Sequence, residues 1–246
     1  MVFDFMLKII PQFDIIGAMN KKKGTVILAD GTPPSHELPL RILREAERLI
    51  VCDGAWRAAF AIGRAPDVVV GDGDSLGDDG RSELALRGIS LVTDNEQETN
   101  DLCKAFRYAL QTGSSGDIAI LGATGKREDH AIGNIFHLID FAEMSAAATH
   151  PVAVTMVTDS GVFEPVLPPG RSWTEGCCAG CPLSVFAPFH ETEIASEGLA
   201  WQLNGIQFDT LWRGTLNKIV SDSFSIQTNR PILIYRPHLR PRDNLA

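Results

Sequence analysis

The chain has 246 residues, of which 22 are Lys or Arg and 31 are Asp or Glu, so its formal net charge is −9. Its 44% hydrophobic content is sufficient for a packed core and excludes a disordered, collagenous or disulfide-scaffold protein. The acidic charge disfavours binding to nucleic acid, whose phosphates it repels. Mean hydropathy is near zero at +0.02, and the chain lacks the roughly 20-residue apolar run that a membrane span needs. The length fits one large or two modest domains.

Residues 1–23 are predicted to be an extension that precedes the first domain. The segment 1–18 is apolar but interrupted by charges, and the basic residues 21–23 follow it. A secretory signal has the opposite order, with its positive charges first. We therefore hypothesise that Met19 is the physiological start of the protein.

The five cysteines do not form a recognisable framework. Cys178 and Cys181 make a CxxC pair, but the sequence offers neither a second pair nor a nearby histidine to complete a zinc site. Cys52 and Cys103 lie in apolar runs and are expected to be small buried side chains. The odd count predicts a reducing, cytoplasmic location.

Short apolar runs alternate with helical patterns through the first two thirds of the chain. The expected strands are 25–29, 49–52, 67–70, 89–92, 117–121 and 152–158. Because both faces of these runs are apolar, they predict an α/β fold with an open, mostly parallel sheet flanked by helices. This domain is expected to span residues 24–158.

The pattern changes after Asp159, where helical periodicity ends. Short alternating runs at 183–186, 205–208, 223–227 and 232–235 are separated by prolines and glycines. They predict a smaller all-β sandwich over residues 159–246.

Acidic residues and glycines follow every strand of the predicted parallel sheet. The carboxyl ends of parallel strands share one edge, where ligands bind in open α/β sheets. Asp and Gly are also good turn formers, which explains any single turn. Their recurrence in all six turns favours a site for a metal and a phosphate. The turns are Asp30-Gly31, Asp53-Gly54, Gly71-Asp72-Gly73-Asp74, Asp94, Gly122-Ala123-Thr124-Gly125 and Asp159-Ser160-Gly161.

The paired acids Asp72 and Asp74 admit three interpretations. An EF-hand loop fits by position, but Leu76 stands where an oxygen ligand is needed and a strand precedes the loop. A DxD glycosyltransferase and a phosphoryl or pyrophosphoryl transferase are the other two. Asp101 has two possible explanations. It would lie in the first turn of a helix, where acidic residues are favoured. If the fourth strand is the neighbour of the third, Asp101 would instead be a third metal ligand.

The segment from Gly122 to His130 is a glycine loop between a strand and a helix, an arrangement that suits an anion. It is not a Walker loop, because its spacing is short and Arg127 follows Lys126. Lys126 and Arg127 form the only adjacent basic pair in these turns, which favours phosphate contacts. Asp129 has three possible roles: to cap the helix, to orient Arg127, or to contact substrate.

Taken in order, these segments resemble the thiamine pyrophosphokinase family from residue 25 to residue 237. The resemblance rests on the blocks VILADGTPP, CDG, PDVVVGDGDSL, ETNDLCKA, LGATGKREDHAIGN and GLAWQL. It implies an ATP-binding α/β domain, a thiamine-binding β-sandwich, and a homodimer with active sites between subunits. The implied reaction transfers pyrophosphate from ATP to the hydroxyl of thiamine, leaving AMP.

The resemblance also implies roles for individual residues. Mg²⁺ would be held by Asp72, Asp74 and Asp101, which would be catalytic together with Arg127 and Asp129. Thiamine would be bound by Trp201 and Asn217. The ATP site would be formed by Asp53, Gly54, Gly122, Thr124, Lys126 and Arg127.

The sequence departs from the family pattern at five positions: Ala55 and Trp56 after the Asp-Gly turn, Gly73 within the acidic motif, and Leu216 and Lys218 around Asn217. These departures bear on the identity of the alcohol that accepts the pyrophosphate. The alternatives are a pyrophosphokinase or DxD glycosyltransferase that acts on another alcohol, and a non-catalytic nucleotide or thiamine sensor.

Overall fold

The structure is a computed structural model that describes residues 24–114, 116–174 and 179–238. Met19, the rest of the N-terminal extension and Cys178 lie outside the described residues. The helices are α1 (Glu37–Glu45), α2 (Trp56–Ile62), α3 (Gly77–Leu86), α4 (Asp101–Gln111) and α5 (Glu128–Ala146), with a 3₁₀ turn at Asp53–Ala55. The strands are β1 (Thr25–Leu28), β2 (Arg48–Cys52), β3 (Val68–Gly71), β4 (Ser90–Thr93), β5 (Ile118–Leu121), β6 (Val154–Val157), β7 (Gly161–Val166), β8 (Gly170–Trp173), β9 (Pro182–Phe186), β10 (Ile194–Glu197), β11 (Gly214–Lys218), β12 (Phe224–Thr228) and β13 (Ile232–Pro237).

The first six strands form the predicted parallel sheet, in the order β6-β5-β1-β2-β3-β4. Strands β1, β2, β3 and β5 are buried on both faces or nearly so, with helices covering them. Phe106 of α4 and Phe141 of α5 stack at 4.2 Å on one side, and Trp56 of α2 is buried on the other. Strand β4 pairs with β3. The fourth strand is therefore the neighbour of the third, which is the arrangement under which Asp101 was expected to lie near Asp72.

The β-rich part continues the same sheet. Strand β7 runs antiparallel to β6, and β13, β9 and β11 follow it to make ten strands. A second sheet, β10-β12-β8, carries Trp173 and Phe224, which stack on each other at 4.4 Å and share one core cluster with Leu183 and Val185 of β9. The predicted fold class is confirmed. The domain boundary at 158/159 remains a prediction, and β6 and β7 pair directly across it.

The sequence-based strand assignment fails in the β-rich part at two kinds of position. Residues 205–208 form a loop, and their apolar alternation arises because Phe208 is buried in the core. Strand β7 was not predicted, because Pro165 lies within it and proline is unusual inside a strand. Strands β8, β10 and β11 were also not predicted, because each has only four or five residues, of which no more than two are buried.

The cysteines give one confirmation and one unexpected feature. Cys52 and Cys103 are buried free thiols, as expected. Cys181 is disulfide-bonded, although the sequence shows no recognisable cysteine framework. None of the helices in the described part of the chain is long and apolar enough to cross a membrane.

Candidate active site

Three carboxylates converge where β2 and β3 end. Single carboxylate oxygens of Asp53, Asp72 and Asp74 lie within 4.8 Å of one another. Asp53 follows β2, and the other two follow β3, its parallel neighbour. Asp53 Oδ2 accepts a hydrogen bond from the Gly73 N–H at 2.8 Å, which joins the two turns. Adjacent parallel strands therefore place the acids together, as the sequence predicts for this edge.

Two glycines make this approach possible. A Cβ on Gly71 would lie 2.5 Å from Asp53 Cγ, so no larger residue fits without displacing that carboxylate. Gly73 has φ +79°, and a Cβ there would meet the guanidinium of Arg81 at 2.4 Å. Arg81 Nη2 donates to the Gly73 carbonyl at 2.8 Å. The departure from the family pattern at Gly73 is thus accommodated by the turn itself.

The three acids experience different environments. Burial, followed by the charge of Asp101, raises the pKa of Asp53 to about 6. The hydrogen bond from the Asp74 N–H, at 3.1 Å, lowers the pKa of Asp72. Clustered carboxylate oxygens that repel one another and are held by backbone donors fit a hard divalent cation such as Mg²⁺.

Asp101 lies beside this cluster and forms an ion pair with a lysine. Its Oδ1 is 3.1 Å from Nζ of Lys104, whose side chain is only 3% exposed. Burial acts to lower the pKa of Lys104, but the hydrogen bond and charge of Asp101 raise it overall. Within the described residues, the 4.8 Å cluster contains Asp53 and not Asp101. The geometry therefore favours Asp53 as the third acid, and the metal assignment of Asp101 remains a prediction.

A cavity of about 360 Å³ lies at this sheet edge, and Asp72 of the carboxylate cluster contributes to its lining together with Asp101. Its lining is rich in polar side chains, and acidic and basic groups alternate in it, since Lys104 pairs with Asp101 and Lys126 pairs with Asp30. Its polar lining includes Asp30, Asp72, Gln97, Thr99, Asn100, Asp101, Lys104, Lys126, Arg127, His130 and Asn134.

The glycine loop after β5 is locked against the turn after β1. Gly31 and Thr32 donate backbone hydrogen bonds to the carbonyls of Gly122 and Thr124, at 2.6 and 2.8 Å. A Cβ on Gly125 would lie 2.1 Å from Thr32 Oγ1. Gly122 and Thr124 thus shape the loop, and neither they nor Gly54 contribute to the cavity lining among described residues. Gly54 instead makes room for Asp30, whose carboxylate would be 2.5 Å from its Cβ.

The basic pair at the cavity mouth is held by acids. Lys126 has φ +58°, and its Nζ lies 2.7 Å from Asp30 Oδ1. Arg127 Nη2 lies 2.5 Å from Asp129 Oδ2, and both side chains are more than half exposed. This contact lowers the pKa of Asp129 to about 2. Of the three roles considered for Asp129, the structure shows the orientation of Arg127; the N-cap of α5 is Arg127 itself, without a side-chain capping bond.

The two residues assigned to thiamine lie in the β-rich part. Trp201 is 57% exposed, whereas Asn217 is 3% exposed. Asn217 Nδ2 donates to the Trp201 carbonyl at 2.7 Å, and its Oδ1 accepts from the Trp201 N–H at 3.2 Å. Neither residue belongs to the described lining of the acidic cavity.

Two acids at the same sheet edge have structural partners. Asp159 accepts backbone hydrogen bonds from Ser35 and His36 at 3.0 Å, at the start of α1. Asp94 lies 3.7 Å from Arg107. The turn-former explanation is therefore sufficient for these two positions.

Sequence reasoning missed several polar residues of the cavity. Lys104 is the clearest, and its signal was a lysine between buried apolar positions of α4. Asn100 Nδ2 donates to Asn134 Oδ1 at 2.9 Å, and Asn134 Nδ2 donates to the Ala123 carbonyl at 2.9 Å. This amide chain ties α4 to α5 and to the glycine loop.

Comparison with known proteins agrees with this geometry. The family model described as the thiamin pyrophosphokinase catalytic domain matches residues 40–149, and that of the substrate-binding domain matches residues 168–235. A search of curated proteins gives no match.

Solved structures share the fold at low sequence identity. Thiamine pyrophosphokinase from Bacillus subtilis is 20% identical with a TM-score of 0.69, covering 87% of this chain and 98% of that chain. Thiamin pyrophosphokinase from Candida albicans is 16% identical with a TM-score of 0.70, covering 87% of this chain and 90% of that chain. The yeast protein is 15% identical with a TM-score of 0.69, covering 87% and 86%. The two family matches together span more than two thirds of the sequence, and the chain therefore belongs to the thiamin pyrophosphokinase family, enzymes that transfer pyrophosphate to thiamine.

Proposed function

We propose that the acidic cavity binds ATP with Mg²⁺ and transfers pyrophosphate to the hydroxyl of thiamine, giving thiamine diphosphate and AMP. The observation that carries this proposal is a cavity lined both by Asp72, a member of the carboxylate cluster, and by the basic residues Lys126 and Arg127, in a chain of net charge −9. A protein this acidic needs local cations to hold a triphosphate, because its overall field repels one.

Mg²⁺ would be held by Asp53, Asp72 and Asp74, with Asp101 facing the same cavity. These are oxygen donors, which Mg²⁺ prefers, and they leave room for phosphate oxygens and water. When bound, the ion neutralises charge on the phosphate oxygens as pyrophosphate is transferred.

The basic residues would contact the phosphates directly. Arg127 is 69% exposed, so its guanidinium can turn from Asp129 to an incoming phosphate. Lys126 is half-exposed and paired with Asp30 at the cavity mouth. A guanidinium binds two phosphate oxygens at once, and the backbone of the glycine loop and the start of α5 add N–H donors. These groups position the triphosphate and stabilise its charge, which is most of what phosphoryl-type transfer requires.

The proton of the attacking hydroxyl needs an acceptor. Asp74 and Asp129 are the two carboxylates considered for this role. Asp74 is the better placed, since it belongs to the carboxylate cluster of the described residues and Asp129 does not.

Thiamine would stack on Trp201, whose exposed indole suits a cationic thiazolium or an aminopyrimidine. Trp201 is not part of the described cavity lining of its own chain. We therefore propose a homodimer in which the indole of one subunit faces the cavity of the other. Trp212, Leu216 and Val220 are also exposed, at 66%, 85% and 53%, and would be covered in such an assembly.

The test is a product analysis of the purified protein with ATP, MgCl₂ and thiamine. We expect AMP and thiamine diphosphate in equal amounts, and neither product without Mg²⁺ or from Asp72→Ala. Production of AMP only with another alcohol would assign a different acceptor. Ligand binding without turnover would indicate a sensor.

Subunit sharing has its own test. At a thiamine concentration well below KM, where Trp201→Ala has low activity and Asp72→Ala has none, a mixture of the two variants should be more active than either alone, because one site of a mixed dimer is intact. A mixture no more active than its components would contradict the proposed assembly.

A further inference from the structure

Trp201 lies in a segment whose backbone is fixed on both sides. The Ala200 N–H donates to the Lys218 carbonyl at 2.8 Å, and the Val220 N–H donates to the Gly198 carbonyl at 2.9 Å. Leu199 and Ile219 form an antiparallel bridge between these hydrogen bonds. The segment that carries Trp201 is thus a short extension paired with the end of β11.

Asn217 completes this pairing with its side chain. Its Nδ2 donates to the Trp201 carbonyl at 2.7 Å, and its Oδ1 accepts from the N–H groups of Trp201 at 3.2 Å and Lys218 at 2.8 Å. The amide therefore occupies both backbone groups of Trp201, as a neighbouring strand would. Both lone pairs of Oδ1 are used, and only one N–H of the amide remains free.

Burial separates the roles of the two residues. Asn217 is 3% exposed, so its amide offers almost no surface to a ligand. Trp201 is 57% exposed, although both its backbone N–H and its carbonyl are held by Asn217. Such an arrangement orders an aromatic surface before ligand arrives, which reduces the entropy lost on binding.

We propose that Asn217 is a positioning residue, which acts on thiamine only through the placement of Trp201 and does not bind it directly. This inference rests on the proposed function and revises the role that the family resemblance implies for Asn217. It also explains the departure at Leu216: this residue has φ +60° and is 85% exposed, so its side chain lies away from the buried amide.

A double-mutant cycle in the full-length protein tests the inference. Trp201→Ala should raise KM for thiamine about tenfold, as expected for loss of a cation–π platform. Asn217→Ala should raise the same KM severalfold and leave KM for ATP unchanged. In the double variant, KM for thiamine should match that of Trp201→Ala within about twofold, because residues that act as one unit are not additive.

The matched control is Asn204→Ala. Asn204 Oδ1 accepts a hydrogen bond from the Ser196 N–H at 2.6 Å, so this variant also loses a side-chain bond to backbone within the β-rich part. It does not touch Trp201, and we expect an unchanged KM for thiamine. Thermal unfolding of each variant reports any general loss of stability.

If Asn217→Ala does not fold, Asn217→Asp replaces it in the cycle. The aspartate keeps the acceptor for the two N–H groups, loses the donor to the Trp201 carbonyl and sets a buried carboxylate oxygen against that carbonyl. The inference would be overturned if the double variant raised KM for thiamine by the product of the two single effects. It would also be overturned if Trp201→Ala left KM for thiamine unchanged. Wild-type protein that forms no thiamine diphosphate would instead refute the proposed function, so the two failures are distinguishable.

Discussion

The Asp53 carboxylate accepts a hydrogen bond from the Gly73 N–H, with 2.8 Å between Oδ2 and N. This bond links the turns after β2 and β3, and it fixes a buried acid against the acidic loop of the cavity. Asp53 is 1% exposed, and backbone hydrogen bonds from Gly73 and Gly54 favour its charged form against the cost of burial. The carboxylate cluster thus depends on how closely two turns approach.

Gly71→Ala tests this close approach. Its Cβ would lie 2.5 Å from Asp53 Cγ, so the carboxylate must move. We expect a destabilisation of about 1–3 kcal/mol, typical of overpacking, and a loss of activity of at least tenfold. The control is Gly133→Ala in α5, where a Cβ meets nothing within 4 Å. It should be neutral or more stable by about 0.5–1 kcal/mol, since alanine favours a helix. Equal effects of the two substitutions in denaturant unfolding would contradict this account.

The metal set can be decided by comparing Asp53→Asn with Asp101→Asn. If the cluster of Asp53, Asp72 and Asp74 holds the ion, Asp53→Asn should raise the Mg²⁺ concentration for half-maximal activity by about tenfold or more. Asp101→Asn should lower turnover but cause a smaller increase in the Mg²⁺ concentration for half-maximal activity, because the Asp101 carboxylate pairs with Lys104. Mn²⁺ binding followed by electron paramagnetic resonance gives the affinity without turnover. A larger shift for Asp101→Asn would favour the ligand set implied by family resemblance.

Lys104→Met should be damaging, since it leaves Asp101 without its cation beside other acids. Breaking a fully buried pair costs about 3–5 kcal/mol. We expect a smaller loss here, because the Asp101 side chain is 34% exposed. Lys104→Arg keeps the charge and should retain more stability. The double variant Lys104→Met with Asp101→Asn should recover part of the loss in denaturant unfolding. No recovery would show that Lys104 is stabilising for another reason.

The stacked histidines His36 and His238 predict a pH dependence of stability. Their ring centroids lie 4.4 Å apart with an angle of 8° between the ring planes, and His238 Nε2 is 2.9 Å from the Thr158 carbonyl oxygen. Burial, together with the charge of His36, lowers the pKa of His238 below 6.5. The unfolded chain then takes up this proton at higher pH than the folded one, so stability falls as pH drops below about 6.5.

His238→Gln removes this titration and should reduce the drop in melting temperature between pH 7.5 and pH 5.5. The exposed His150 supplies the control, as His150→Gln should leave that drop unchanged. An undiminished drop in His238→Gln would mean that other groups determine the acid sensitivity.

Much of the parallel sheet could be predicted from the sequence, because four of its strands, β1, β2, β3 and β5, are short apolar runs buried on both faces or nearly so. The sequence also predicted that acidic residues lie together at one edge of the sheet, because parallel strands have their carboxyl ends at the same edge. The β-rich part was harder. Strand β7 contains Pro165, and the loop through Phe208 is buried by packing rather than by strand pairing.

The finer assignments depended on distances that spacing alone does not give. Asp53 and Asp101 are both close to Asp72 in the fold, and only the structure shows that Lys104 pairs with one of them. Likewise, the GLAWQL and Leu-Asn motifs identified Trp201 and Asn217 as neighbours. Their sequence does not show that the amide is turned to the backbone and only the indole to solvent.

The most direct test of the account follows the β-phosphorus of ATP. Purified protein is incubated with thiamine, MgCl₂ and ATP labelled at its β-phosphorus, and the products are separated. We predict labelled thiamine diphosphate together with unlabelled AMP. Labelled ADP with thiamine monophosphate, or label that never reaches thiamine, would contradict pyrophosphate transfer in this cavity.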